Sequence, residues 1–299
     1  MAPLTQAPAA AKAPPDAAAR VEVVPLSKYI GAEIRGIDLR QKPGEETVRA
    51  IYQAWLDHVV LVFPRQTLSQ EDLLRATSFF GELGTLSRPP KYFPQGYSKL
   101  LPGIMMISNI RENDEPIGAL PDGEMMFHHD MIHAEVPSKA TLLYAVEIPT
   151  TGGNTLFASG YAAYDTLDPA IRKRLEGKKA LHHYNYGSTI RGDNRGTEAF
   201  AECVHPVFRT HEDTGKKAIY VDRLMTVKVL DTPEDESERL LNAVYDHAER
   251  REFVYAHVWR VGDLLLWDNR CSSHARTDFP STERRLMLRT TVQGRERPA

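Results

Sequence analysis

Two histidines and one aspartate, spaced as His128-x-Asp130 with His274 far downstream, have the residue types that suit metal chemistry. Along a β-strand, residues i and i+2 share a face, so a strand here turns His128 and Asp130 one way and His129 the other. Two imidazoles and one carboxylate on one face of a metal suit Fe(II), and they leave adjacent coordination positions for a chelating cosubstrate and for dioxygen. His274 follows the apolar run Leu264–Trp267 and the turn-forming pair Asp268-Asn269, from which its ring can face back into a barrel. Such a trio belongs to an enzyme.

Arg285 and Arg289 bear on the same site. Four residues apart on an expected last strand, Arg285–Val292, they share a face with Met287 while Arg284 lies opposite. Two guanidiniums on an inner face are costly unless anions meet them, so the pair implies acidic ligands. The alternative is an edge strand with both arginines in water.

The elements that must position these residues are mostly strands. Short β-prone runs occur at Val59–Phe63, Ile104–Ser108, Met125–Met131, Thr141–Val146, Asn154–Ala158, Ala218–Val221, Phe253–Trp259, Asp263–Trp267 and Arg285–Val292. Helices are expected over 45–57 and over 69–80, the second with Ser69 and Asp72 as a capping box. Ser159 or Gly160 opens another, which Pro169 kinks or restarts, and Thr232-Pro233 with an acidic first turn opens a fourth that runs to Arg250. This pattern predicts a mainly β fold with flanking helices, a sandwich or barrel. Segment 176–217, with His182, His183, Tyr184, Tyr186 and several glycines, reads as a long loop or lid.

The 299 residues, 42% hydrophobic, fit one large core, with a single domain over 21–299. A formal charge of −3 supplies no broad basic field for nucleic acid or an anionic membrane, so a small molecule is the expected partner. There is no apolar run long enough to cross a membrane. With only Cys203 and Cys271, a disulfide framework is not expected and a reducing, cytoplasmic setting is. Cys271 reads as a small buried side chain rather than a reactive thiol. The first 20 residues, rich in Ala and Pro and interrupted by Lys12, read as a disordered tail rather than a secretory signal. A homo-oligomer is expected.

Phe127-His128-His129-Asp130, the Gly152-Gly153-Asn154-Thr155 turn, Trp267-Asp268-Asn269-Arg270 leading to His274, and the Arg285–Arg289 strand occur in an order and spacing that resemble one family. It is the taurine dioxygenase and 2,4-dichlorophenoxyacetate dioxygenase family, and weaker similarity runs from about Val21 to Gln293. The resemblance implies a double-stranded β-helix (jelly roll) and an Fe(II)- and 2-oxoglutarate-dependent dioxygenase that hydroxylates, with or without cleavage, a small carboxylate, sulfonate or aryloxy acid. It also implies His128, Asp130 and His274 as iron ligands, and Arg285 with Thr155 on the far carboxylate of 2-oxoglutarate. Arg289 would hold either the cosubstrate or an anionic group of the substrate. Phe157 and the aromatic 182–186 segment are candidates for the substrate wall. Phe127, His129 and His133 depart from the family pattern, where Trp, a small hydroxyl residue and an aromatic are usual.

Two other readings use the same residues. His129-Asp130-x-x-His133 resembles the zinc motif of helical hydrolases, although Pro121, Gly123 and Pro137 leave little room for a helix. A jelly-roll binding protein without turnover is the other.

Overall fold

Runs such as Val60–Phe63 and Leu264–Trp267 lack polar alternation because both faces of their strands are covered. In the computed structural model, which describes residues 21–85, 99–119, 123–185, 187–191 and 200–299, Leu61, Phe63, Leu264 and Leu266 pack on one side of a sheet. Val60, Val62, Leu265 and Trp267 pack on the other. The expected tail, Pro121 and Tyr186 lie outside the described residues.

In chain order the first elements are β1 (Glu22–Pro25), β2 (Ala32–Arg35), α1 (Glu45–His58), β3 (Val60–Phe63), α2 (Gln70–Ser78), β4 (Met105–Ser108), β5 (Arg111–Glu112) and β6 (Glu115–Pro116). Next come β7 (Met125–His128), β8 (Ala140–Glu147), β9 (Thr155–Ser159), α3 (Gly160–Thr166), α4 (Pro169–Leu175), β10 (Lys179–Asn185) and β11 (Phe200–Pro206). The last are β12 (Phe208–Thr210), β13 (Lys217–Ile219), β14 (Thr226–Val229), α5 (Glu234–Ala248), β15 (Val254–His257), β16 (Leu264–Asp268), β17 (Ser272–Arg276) and β18 (Leu286–Val292).

A seven-stranded sheet, in the order β1-β2-β3-β16-β8-β18-β4, faces a four-stranded sheet, β15-β9-β17-β7. These two sheets form the jelly roll. Phe157 from the smaller sheet and Cys271 from the turn before β17 meet Leu143, Ala145, Trp267 and Met287 from the larger one in the core between them. On the outer face of the larger sheet, Ile51 and Trp55 of α1 and Leu73 and Ala76 of α2 complete a second core. A third, around Leu175, Val207, Ile219 and Val244, binds α3, α4 and α5 to the three-stranded sheet β11-β10-β14.

The helix boundaries follow the expected signals in three cases. Ser69 and Asp72 make both bonds of the capping box, and Ser159 accepts from the Ala162 N–H. Pro169 restarts the chain as α4, with Asp168 capping Ala170 and Ile171. Thr232 differs from expectation: Pro233 occupies the cap position of α5, and the Thr232 hydroxyl turns back to Leu230 O.

Segment 176–217 also differs, because β10, β11 and β12 make most of its described part strand rather than loop. In β10 the buried positions are Ala180 and His182, so one of the two inward residues is polar and the hydrophobic alternation that marks a strand is missing.

Gly152 and Gly153, with φ of +72° and +64°, make the tight entry to β9 that places Thr155. A Cβ on Gly152 would strike the Asp278 carbonyl, and the conformation itself disfavours an L side chain. Gly152→Ala is expected to destabilise the protein by about 1–3 kcal/mol in urea unfolding. A change below about 0.5 kcal/mol would show that this turn is not constrained.

Candidate active site

The register of the smaller sheet brings the two histidines together. His274 of β17 pairs directly with His128 of β7 and with Phe157 of β9, and residues opposite one another across strands share a face. The two imidazole rings lie 4.1 Å apart, centroid to centroid. Donor atoms of His128, Asp130 and His274 all fall within 4.8 Å of one another, and all three residues are buried.

Asp130 reaches the cluster by a different route from the one expected. β7 ends at His128 rather than Met131, and Asp130 sits in a turn whose next residue, Met131, has φ +62°. Side chains, not a strand ladder, fix its carboxylate. Thr141 of β8 donates to Oδ2 at 2.7 Å, and the Arg289 Nη2 lies 3.0 Å from Oδ1. Asn269 in turn donates to the Thr141 hydroxyl at 2.9 Å, which aims the hydroxyl proton at Asp130.

The protonation states suit metal binding. Burial pushes the pKa of both His128 and His274 below the ordinary imidazole value, so each ring is neutral with a lone pair to offer. His128 Nδ1 is 2.9 Å from the Met126 carbonyl, which can only accept; the ring proton is therefore on Nδ1 and Nε2 is the free donor. Burial alone would raise Asp130, but the Arg289 charge and the Thr141 hydroxyl bond hold it well below the usual carboxylate range.

Arg285 presents the complementary feature. Its side chain is 2% exposed, and no described carboxylate pairs with its guanidinium. Burial and then the Arg276 charge push its pKa down to about 9. Thr155, on the same cavity lining, accepts from Trp259 Nε1 at 3.0 Å, which leaves the threonine proton to donate elsewhere.

His128, Asp130, His274, Thr155, Arg285 and Arg289 all line one cavity of about 210 Å³. Its apolar wall includes Met105, Met125, Met131, Met225 and Tyr184, with His133 and Arg276 also on the lining. Phe157 is not part of that wall. It is fully buried, packed against Trp267 at 5.4 Å and beside the His274 ring at 6.1 Å, so it supports a ligand strand rather than facing a substrate. Of the expected aromatic segment, Tyr184 reaches the cavity and His182 is buried away from it.

The helical zinc motif is not formed. His129 lies in the turn after β7, with its Nδ1 3.0 Å from Asp222 Oδ2, while the His133 ring stacks on Tyr184 at 5.0 Å. A second cluster, His211, Asp268 and Cys271, is compact enough for a metal but already satisfied. Arg270 holds both Asp268 oxygens at 2.9 and 2.7 Å, and His211 donates to Asp268 from Nε2 while its Nδ1 accepts two backbone N–H groups. The thiol of Cys271 is buried and its pKa pushed well up.

Thr141, Trp259, Asp222 and Arg276 were not singled out from the sequence. Arg276 had a signal, since it lies two residues beyond His274 on the same face. Asp222 had none, lying 93 residues from the His129 it bonds.

A model of the "Taurine catabolism dioxygenase TauD, TfdA family" matches residues 22–291, and the chain belongs to that family. It is an α-ketoglutarate-dependent oxygenase, that is, an Fe(II)- and 2-oxoglutarate-dependent oxidoreductase. The chain is 31% identical over 278 residues to the alpha-ketoglutarate-dependent 2,4-dichlorophenoxyacetate dioxygenase of Cupriavidus pinatubonensis, covering 90% of this chain and 96% of that one. To the alpha-ketoglutarate-dependent sulfate ester dioxygenase of Pseudomonas putida it is 29% identical, over 93% of this chain and 91% of the relative. The solved structure of AAD-2 in complex with Mn(II) and N-oxalylglycine superposes with a TM-score of 0.77 at 28% identity, covering 93% of this chain and 99% of that one.

Burial lowers the pKa of His133, on the cavity lining, to about 4 and that of His182, buried away from it, to about 3. Both rings stay neutral in the folded protein while the unfolded chain takes up protons near pH 6.5, so their contribution is present above that pH and lost as pH falls toward 4. Stability should therefore decline across this window, by up to about 1.4 kcal/mol per pH unit for each ring. His182→Leu should flatten the decline in urea unfolding compared at pH 7.5 and pH 5. An unchanged slope would show that His182 titrates normally.

Proposed function

We propose that His128, Asp130 and His274 hold Fe(II), that Arg285 and Thr155 hold the far carboxylate of 2-oxoglutarate, and that the substrate is a small carboxylate, sulfonate or aryloxy acid. The observation that carries this reading is a buried guanidinium with no counter-ion among the described residues, in the same cavity as a metal-ready donor trio. The donor set fits the ion: two neutral nitrogens and one carboxylate, gathered on one side. Relatives whose names give 2,4-dichlorophenoxyacetate and sulfate esters as substrates support a small anionic one here.

With iron bound, 2-oxoglutarate and dioxygen together supply the oxidising equivalents that convert a substrate C–H bond to C–OH as the cosubstrate becomes succinate and carbon dioxide. The protein's own task is placement. Arg285 can meet a planar carboxylate with two parallel N–H bonds, and Thr155 can add its hydroxyl proton. Thr141, itself held by Asn269, would keep the Asp130 carboxylate turned toward a bound ion rather than toward solvent. Arg289, already beside Asp130 and on the cavity lining, is placed to meet the near carboxylate of the cosubstrate or an anionic group of the substrate. The methionine-lined wall and Tyr184 keep water from the reacting carbon and adapt to an apolar body. Where the new hydroxyl falls beside a heteroatom, the product breaks down and releases that group.

The proposal also takes the protein as a cytoplasmic homo-oligomer; its charge and cysteine content support the setting and argue against a nucleic-acid or membrane partner. Among the described residues no helix is long and apolar enough to cross a membrane.

The test is substrate-stimulated succinate formation across a panel of carboxylates, sulfonates and aryloxy acids, with anaerobic Fe(II) and 2-oxoglutarate titration alongside. Wild type should form the iron-oxoglutarate charge-transfer band and Asp130→Ala should lose both band and turnover. Arg285→Ala should raise the 2-oxoglutarate requirement about 10- to 100-fold, the loss of a charge-assisted contact. A band that forms while no acid stimulates succinate release would favour a binding protein without turnover.

A further inference from the structure

We propose that Asp222 and His129 form a brace that positions the ligand-bearing segment 128–130 and so sets how tightly the site holds a divalent metal. The inference rests on the reading of His128, Asp130 and His274 as ligands. Among the described residues β7 is the edge strand of its sheet, with β17 as its one strand neighbour. That ladder stops at His128, so the backbone carrying Asp130 has no strand beside it. An edge with unpaired N–H groups at a buried site must find other partners.

The 222–225 loop supplies them. Leu224 N donates to Phe127 O at 3.2 Å, which extends the pairing of β7 on its open side. One Asp222 oxygen then accepts from both the backbone N of His129, at 3.1 Å, and its ring Nδ1, at 3.0 Å. The other accepts from Met225 N at 2.8 Å, and Asp222 N donates to Thr226 Oγ1 at 2.9 Å, so the carboxylate is itself held rigid. Asp222 is 2% exposed and His129 1%, and the His129 ring lies 4.9 Å from that of Tyr220.

The mechanics follow from alternation. His128 and Asp130 turn into the cavity, and the residue between them turns out. Holding His129 by backbone and ring at once fixes the dihedral angles on either side of it, and with them the separation of the two ligands. Outer contacts of this kind are worth about 10- to 100-fold in metal affinity.

The full-length protein is titrated with Mn(II), the free ion being read by electron paramagnetic resonance, at a temperature where circular dichroism shows every variant folded. His129→Leu and Asp222→Asn should each raise the Mn(II) dissociation constant about 10- to 100-fold. The double variant should bind no worse than the weaker single variant by more than about threefold, since both remove one contact. His129→Asn, whose amide N–H can still reach Asp222, should remain within about threefold of wild type. Unchanged Mn(II) affinity in folded His129→Leu and Asp222→Asn would overturn the brace, whatever their melting temperatures do. If Asp130→Ala binds Mn(II) as wild type does, the ligand assignment has failed, and the brace falls with it for a separate reason.

Discussion

The pairing of His274 with His128 is the constraint on which the site depends. Two strands far apart in the chain are neighbours in one sheet, and a slip of a single residue would turn one of the rings to the opposite face. Register is held because the same strands carry the inter-sheet core: Phe157 stands opposite His274, and Trp267 packs against both at 5.4 and 4.8 Å. The metal-ready donors are thus placed by hydrophobic packing rather than by affinity for one another.

The charges in the cavity are arranged at some cost. A buried carboxylate and a buried guanidinium would ordinarily be paired with each other, and Arg289 does pair with Asp130. Arg285 is left without a described counter-ion, and the Arg276 charge nearby adds to its burden. On the proposed reading, an anionic ligand that enters the cavity would relieve this. By contrast, the Asp268, Arg270 and His211 cluster is closed on itself: it anchors Asn269, and through it Thr141 and Asp130, without offering a vacant donor.

Much of this was legible in residue types and spacing. Apolar runs marked the central strands, the Ser69 and Asp72 box marked α2, and the His-x-Asp pair with Arg285 and Arg289 marked the cavity. Legibility failed where tertiary contacts replace local pattern. Asp130 shares a face with His128 although the ladder ends before it, because Thr141, Arg289 and the His129 brace act in place of a neighbouring strand. β10 buries a histidine where a strand pattern would show an apolar residue, so it read as loop. Phe157 has the composition of a substrate contact, yet the register places it behind His274, a fact no single-strand pattern contains.

Crystals grown with Mn(II) and 2-oxoglutarate under exclusion of oxygen, with anomalous scattering recorded for the metal, test the central claim most directly. The account predicts one strong metal peak within bonding distance of His128, Asp130 and His274, with the far carboxylate of 2-oxoglutarate seated on Arg285. A peak at His211, Asp268 and Cys271 instead, or a cosubstrate carboxylate bound away from Arg285, would contradict it.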